Sequence, residues 1–310
     1  MPGVAATVAT PVDLHLHTRC SDGDETPAGL AARCLAAGLR IVAVTDHNTM
    51  AGVEPFARAA GAALTVLPGC EITATWRGEE VHCLAYLVDP ADPVLGERLR
   101  RVHDGELTWW RAWAGRAEEL GVPLGWARVA ARLGGDRVAY VGDYLALLAE
   151  AAGEDPRFRG YGPDTYWKIA DDWCRPGQPL HVPQPWRPHL TEVLTWVADA
   201  GGVAVLAHPA ALLASMSDAE CLGTLREWAT AGLAGIEVWT SWHTPEESAR
   251  LERLCAAAEL TPTVGSDYHG PRVKRWVSAP GLLPTRATEP YALVDALRGR
   301  QAGHVSGVRR

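Results

Sequence analysis

A chain of 310 residues can hold one large domain or two ordinary ones, and 47% apolar with 21% charged residues excludes a wholly disordered protein. The balance of 29 basic against 37 acidic residues, a net charge of −8, argues against extended nucleic-acid binding and leaves room for a local basic pocket. Seven cysteines with no C-x-x-C pair fit a reduced, cytoplasmic protein better than a disulfide scaffold. The first residues lack the features of a secretory signal, and the most apolar stretch is broken by His208 and Pro209, so no membrane span is expected. Two counts stand out: 13 Trp beside 2 Phe, and 11 His. Imidazole at neutral pH is the side chain most used for metals and proton transfer.

In chain order, Val12 to His17 reads as a strand, Pro27 to Ala37 as a helix and Leu39 to Thr45 as a β-branched strand. Thr26 before Pro27 reads as a helix N-cap. Ala51 to Ala60 is helical, and Leu64 to Leu67 and Val81 to Val88 are strands. From about Pro93 to His189 only helical patterns and loops are found, with seven tryptophans: Trp109, Trp110, Trp113, Trp126, Trp167, Trp173 and Trp186. Core packing accounts for most of these; a wall for a planar substrate is the alternative for one or two. The alternation resumes after Thr191: helix to Ala200, strand Val203 to Ala207, helix Asp218 to Ala231, strand Gly235 to Trp239, helix Pro245 to Ala258 and strand Thr263 to Val264. Alternating β and α elements predict parallel strands covered by helices, as an open sheet or a barrel.

In a strand, Asp13, His15 and His17 share one face while Leu14 and Leu16 share the other, so the two imidazoles of D-L-H-L-H-T can meet one cation. By itself H-x-H also describes two packed histidines. The placement of the other polar groups decides otherwise. Ser21-Asp22-Gly23 follows the first strand, Thr45-Asp46-His47 closes the second and Pro68-Gly69-Cys70-Glu71 closes the third. His82 opens the fourth, Ala207-His208-Pro209 ends a later one and Gly265-Ser266-Asp267-Tyr268-His269 ends the last. Parallel β/α architectures build their sites at strand ends.

The stretches DLHLHTRCSDG, TDHNTMAG, PGCEITATWRGEEVHCLAYLVD, GGVAVLAHP, GIEVW and GSDYHG, in that order, resemble the PHP (polymerase and histidinol phosphatase) family, especially its stand-alone bacterial phosphoesterases. The resemblance spans about two thirds of the chain. It implies a distorted seven-stranded β/α barrel over residues 10–310, with 93–190 as a helical, Trp-rich insertion capping the substrate. It also implies two or three divalent metals. Carried over by position, His15, His17, Glu71 and Asp267 hold the first metal. Glu71 as a bridge, His82 and His208 hold the second, and Asp22, His47 and His269 hold the third. Imidazole and carboxylate ligands suit Mn²⁺, Fe²⁺ or Zn²⁺. Metals about 3.5–4 Å apart can bridge a hydroxide and clamp phosphoryl oxygens, so hydrolysis of a small phosphorylated metabolite is the expected activity. No nucleophile elbow, P-loop or dinucleotide fingerprint competes with it.

Asp267, His208 and His243 are the candidate catalytic residues; for His243, a substrate contact or leaving-group acid, a surface histidine is the competing reading. Arg19, Arg137, Arg272 and Lys274 are candidate phosphate contacts. Relatives show an R-x-H-x-A-R type stretch in the insertion; here Asp136 to Gly142 retains only Arg137, which puts a nucleotide substrate in doubt. Asp46 is expected to cap a helix or support a ligand. The alternative functions are a histidinol-phosphate-type phosphatase and a non-catalytic module that binds a partner. The oligomeric state stays open.

Overall fold

The computed structural model describes residues 7–133, 141–161, 167–184, 186–271 and 277–308. They form two compact units: residues 1–100 with 188–310, and residues 101–187.

In the first unit, β1 (Val8–Ala9) precedes β2 (Val12–Leu16), α1 (Pro27–Ala36), β3 (Ile41–Val44), α2 (Val53–Ala60), β4 (Thr65–Trp76) and β5 (Glu79–Tyr86). The Thr26 hydroxyl accepts from Gly29 N–H at 3.1 Å and Pro27 opens the helix, so α1 begins where its cap and proline place it. After the second unit the chain continues as α7 (Leu190–Asp199), β6 (Val203–Leu206), α8 (Ala210–Leu213), α9 (Asp218–Thr230), β7 (Leu233–Thr240), α10 (Pro245–Ala257), β8 (Thr261–Gly265), β9 (Leu282–Leu283) and α11 (Pro290–Val308). Strands β2 to β8 make one seven-stranded sheet in sequence order, and β1 pairs with β9 in a separate two-stranded sheet. A single bridge from Leu16 to Tyr268, with His17 N–H donating to Tyr268 C=O at 3.0 Å, brings the last strand back to the first. The result is a nearly closed α/β barrel, one of the two forms the alternation allows and the one the family resemblance implies.

One part of the pairing departs from an all-parallel barrel. β5 runs antiparallel to both β4 and β6. Pro68-Gly69 reads as a stop in sequence, yet β4 runs through it, 12 residues in all, and turns at Arg77 and Gly78, both with positive φ, straight into β5. Glu71 therefore sits within a strand and not at its end.

On the outer face of the sheet, Leu16, Val42 and Val44 pack against Leu30, Cys34 and Phe56 of the first two helices. Each such side chain contributes roughly 1.5–3 kcal/mol of burial, which pins the strands while their other faces stay polar. Asp13 closes the seam. Its carboxylate accepts from Ser266 N–H (2.8 Å), Ser266 hydroxyl (2.6 Å) and Gly281 N–H (2.7 Å).

The helix α3 (Pro93–Glu119) starts in the first unit and runs on into the second from Arg101, and the second unit also holds α4 (Trp126–Leu133), α5 (Val141–Glu154) and α6 (Trp167–Cys174). Trp110, Trp113, Leu124, Leu147, Phe158 and Ile169 make its core. Most of the tryptophans there do pack: Trp109 stacks on Trp113 at 6.3 Å and meets Trp110 edge-on at 5.3 Å, while Trp186 is an exposed exception. Among the described residues no helix is long and apolar enough to cross a membrane.

Candidate metal centre

Glu71 is the hub of the first unit's interior. Its Oε2 lies 3.1 Å from His15 Nε2, 3.2 Å from His17 Nε2 and 3.3 Å from His47 Nδ1. Its Oε1 lies 3.0 Å from His82 Nδ1 and 3.3 Å from His208 Nε2. Strand geometry brings these groups together. The parallel β3–β4 ladder ends in one further bridge, His47 to Glu71, which sets those residues side by side. Thr73 pairs with His82 across the hairpin, so His82 points to the same face as Glu71. His208 follows β6 at φ 31°, and Asp267 follows β8 at φ 54°; both are left-handed non-glycine residues held by their surroundings.

Three sets of donor atoms converge within 4.8 Å: His15, His17, Glu71 and Asp267; His17, Asp22, His47 and His269; and His47, Glu71 and His82. Thus His17 belongs to two sets and His47 joins the second metal's set, where the resemblance places each in one. His208 falls in none of the three sets and meets the centre through Glu71 Oε1 and the His15 and His82 rings. Asp267 Oδ1 lies 3.3 Å from His15 Nε2 and 3.2 Å from His17 Nε2, and its Oδ2 accepts from the Trp242 indole N–H. Asp22 Oδ1 lies 3.1 Å from His269 Nε2, and the His17 and His269 rings stack at 3.9 Å.

Burial and charge oppose each other here. Burial disfavours the Glu71 carboxylate, but His47, His15 and His82 outweigh it and hold its pKa well below the usual range. Burial pushes His17 down; Asp267, Glu71 and Asp22 raise it to about 9. The same contest takes His82 to about 10 through Glu71 and Glu80, and raises His15 well above its ordinary value. His47 goes the other way because burial dominates. So many imidazoles around so few carboxylate oxygens, with His17 Nε2 buried and lacking hydrogen-bond geometry to any of them, is the donor set of divalent cations.

Supporting groups surround this set. Glu237, wholly buried on β7, takes His15 Nδ1–H at 3.0 Å on Oε1 and the His208 backbone N–H at 2.9 Å on Oε2. Glu80 Oε1 lies 2.9 Å from His82 Nε2. Asp46 accepts from Thr18 N–H, Thr18 hydroxyl and Ser21 hydroxyl, each at 2.7 Å, and so shapes the loop that carries Asp22. It falls in none of the three donor sets, in keeping with a supporting place. Local spacing gives Glu237 no such role, although a lone carboxylate amid the apolar G-I-E-V-W is itself a signal. Trp242 is missed in the same way.

The remaining candidates are placed differently. His243 is buried, with Nδ1 3.0 Å from Val238 C=O and Nε2 accepting from Ala210 N–H at 3.3 Å, so both ring nitrogens are engaged by backbone. Arg19 is exposed and its Nε donates to Asp24 C=O at 2.8 Å. Arg137, Arg272 and Lys274 lie outside the described residues.

Residues 13–108 match the PHP domain model. The chain is 31% identical over 271 residues to a phosphoribosyl 1,2-cyclic phosphate 1,2-diphosphodiesterase of Eggerthella lenta, covering 83% of this chain and 94% of that protein. This chain belongs to the PHP family. A 3′,5′-nucleoside bisphosphate phosphatase of Chromobacterium violaceum is 29% identical, over 84% of this PHP chain and 87% of the relative. The solved structure of a provisionally named metal-dependent phosphoesterase from Bifidobacterium adolescentis superposes with a TM-score of 0.75 at 28% identity, covering 95% of this chain and 98% of that one. The two share the fold described above.

Proposed function

We propose that this phosphoric ester hydrolase of the PHP family cleaves a small phosphorylated metabolite, with its ester held against the Glu71 centre. The observation that carries the reading is the sharing of one buried carboxylate among five imidazoles, two on one oxygen and three on the other. His15, His17, Glu71 and Asp267 would hold one divalent cation, Glu71, His82 and His208 a second, and Asp22, His47 and His269 a third. When bound, such cations lower the pKa of water and neutralise phosphoryl charge. The chain's own contribution is orientation. Glu237 fixes His15 with Nε2 facing the carboxylates, and the Trp242 indole fixes the Asp267 carboxylate. His243 braces the turn after His208 through Ala210. Arg19, Arg137, Arg272 and Lys274 remain the proposed phosphate contacts, and the helical 93–190 segment the proposed cap.

A non-catalytic family member would have no reason to keep all nine ligand positions filled. Seven cysteines, none of them in a disulfide, favour a reducing compartment such as the cytoplasm. The test is metal analysis with Mn²⁺-supported hydrolysis of p-nitrophenyl phosphate and bis(p-nitrophenyl) phosphate, for the wild type, His17→Ala and Glu71→Ala. Wild type is expected to carry at least one equivalent of Mn, Fe or Zn and to cleave one of the two esters. Both variants should lose at least a hundredfold in rate. Equal turnover by Glu71→Ala would sink the proposal.

A further inference from the structure

Beside the metal centre, within the first unit, lies a cavity of about 530 Å³. His82 and His208, the two imidazoles on Glu71 Oε1, form part of its wall, so a group attached to a phosphoryl unit at the centre has this space next to it. The volume falls in the range of small-molecule sites, roughly 300–1,000 Å³. Much of its surface is apolar, from Val81, Leu206, Pro209 and Leu212. The polar remainder is Glu79, Glu80 and Ser215, and among the described residues that line it there is no Lys or Arg.

That lining has a definite chemistry. An ionised carboxylate only accepts hydrogen bonds, so beyond His82, which already meets Glu80, a ligand satisfies Glu79 and Glu80 with donors such as hydroxyls or amines. A phosphate placed there would meet two solvent-exposed like charges at short range, with no Lys or Arg among the described lining residues to offset them. Glu80 cannot simply swing aside, because His82 Nε2 holds its Oε1 at 2.9 Å. We infer that this cavity receives the organic portion of the ester and selects an uncharged, hydroxyl-bearing group, such as a sugar or polyol, while rejecting a second phosphate. The inference rests on the phosphoesterase reading above and narrows it. It separates this chain from the bisphosphate phosphatase it resembles.

The test compares ribose 5-phosphate with ribose 1,5-bisphosphate, and adenosine 5′-phosphate with adenosine 3′,5′-bisphosphate, in Mn²⁺-loaded full-length enzyme. Each monophosphate is expected to show at least tenfold higher kcat/KM than its bisphosphate partner. Glu79→Lys should shrink that ratio at least tenfold, through the KM of the bisphosphate. Leu212→Trp, which fills the cavity, should raise KM for both monophosphates with metal content unchanged. Equal or better use of the bisphosphates by wild type overturns the inference, as does a ratio that Glu79→Lys leaves alone. If neither these compounds nor the p-nitrophenyl esters are cleaved, the phosphoesterase reading fails. Calorimetric titration of the same four compounds then still decides the cavity: tighter binding of the monophosphates upholds the selectivity, and tighter binding of the bisphosphates overturns it.

Discussion

Glu237 and His15 form a buried carboxylate–imidazole pair, 3.0 Å apart, in which the carboxylate's other oxygen holds the backbone N–H of His208. One side chain therefore orients a residue on each side of Glu71. Partners of this kind fix a ligand's tautomer and ring direction, and removing them costs about 10–100-fold in metal affinity. Glu237→Gln keeps the volume and loses the charge, so Mn²⁺ affinity measured by calorimetry should fall by about that factor. The thermal unfolding temperature of the chelator-treated protein should move far less. An unchanged affinity would show that His15 needs no such partner.

Gly265 makes that pair possible. A Cβ built on it would collide with His15 Cβ and lie 2.5 Å from Glu237 Oε1, closer than any real contact. Gly265→Ala must displace one of two wholly buried side chains, and overpacking of this kind costs typically about 1–3 kcal/mol. The expected result is a clear drop in the midpoint of urea unfolding together with weaker Mn²⁺ binding. A variant as stable as wild type and equally avid for metal would mean that β8 can retreat from β2 freely.

The cysteines give a simpler check on the ligand set. Cys34, Cys70, Cys83, Cys221 and Cys255 are buried, and burial pushes the Cys83 thiol up to about 12 and Cys70 higher still. Only Cys20 and Cys174 are partly accessible. Reaction of the folded protein with a thiol reagent should stop at no more than two equivalents, rising to seven in denaturant. A fast third equivalent on adding chelator would point to a thiolate in the metal centre, against the imidazole–carboxylate set.

Much of this centre is legible in the sequence because strands alternate. Asp13, His15 and His17 had to share a face, and the outward Leu16 had to meet α1 and α2. Polar residues recurring after apolar strands then marked one end of the barrel. What the pattern could not show was direction. Pro68-Gly69 mimics a loop, yet β4 runs on to Trp76 and returns as the antiparallel β5, so His82 arrives from across a hairpin. Tertiary roles were hidden for a related reason. Glu237 and Trp242 act on His15 and Asp267 from another strand and its loop, and no local spacing records that.

Protonation provides the last test. In chelator-treated protein, His17 and His82 have folded pKa values of about 9 and 10, above the ordinary 6.5 of free imidazole. A raised folded pKa stabilises the fold fully below about pH 6.5, and that contribution is lost as pH rises through 9 to 10. Glu71 is depressed, so its contribution is present above its ordinary 4.5 and fades on acidification. The metal-free protein should therefore unfold at progressively lower temperature from about pH 7 to pH 10. Cations demand deprotonated imidazoles, so the Mn²⁺-loaded protein should gain affinity over the same interval and release protons as it binds. Calorimetry at about pH 7.5 in two buffers of different ionisation enthalpy reads that release directly. At least one proton per chain is expected; none would mean that these imidazoles are already neutral before metal arrives.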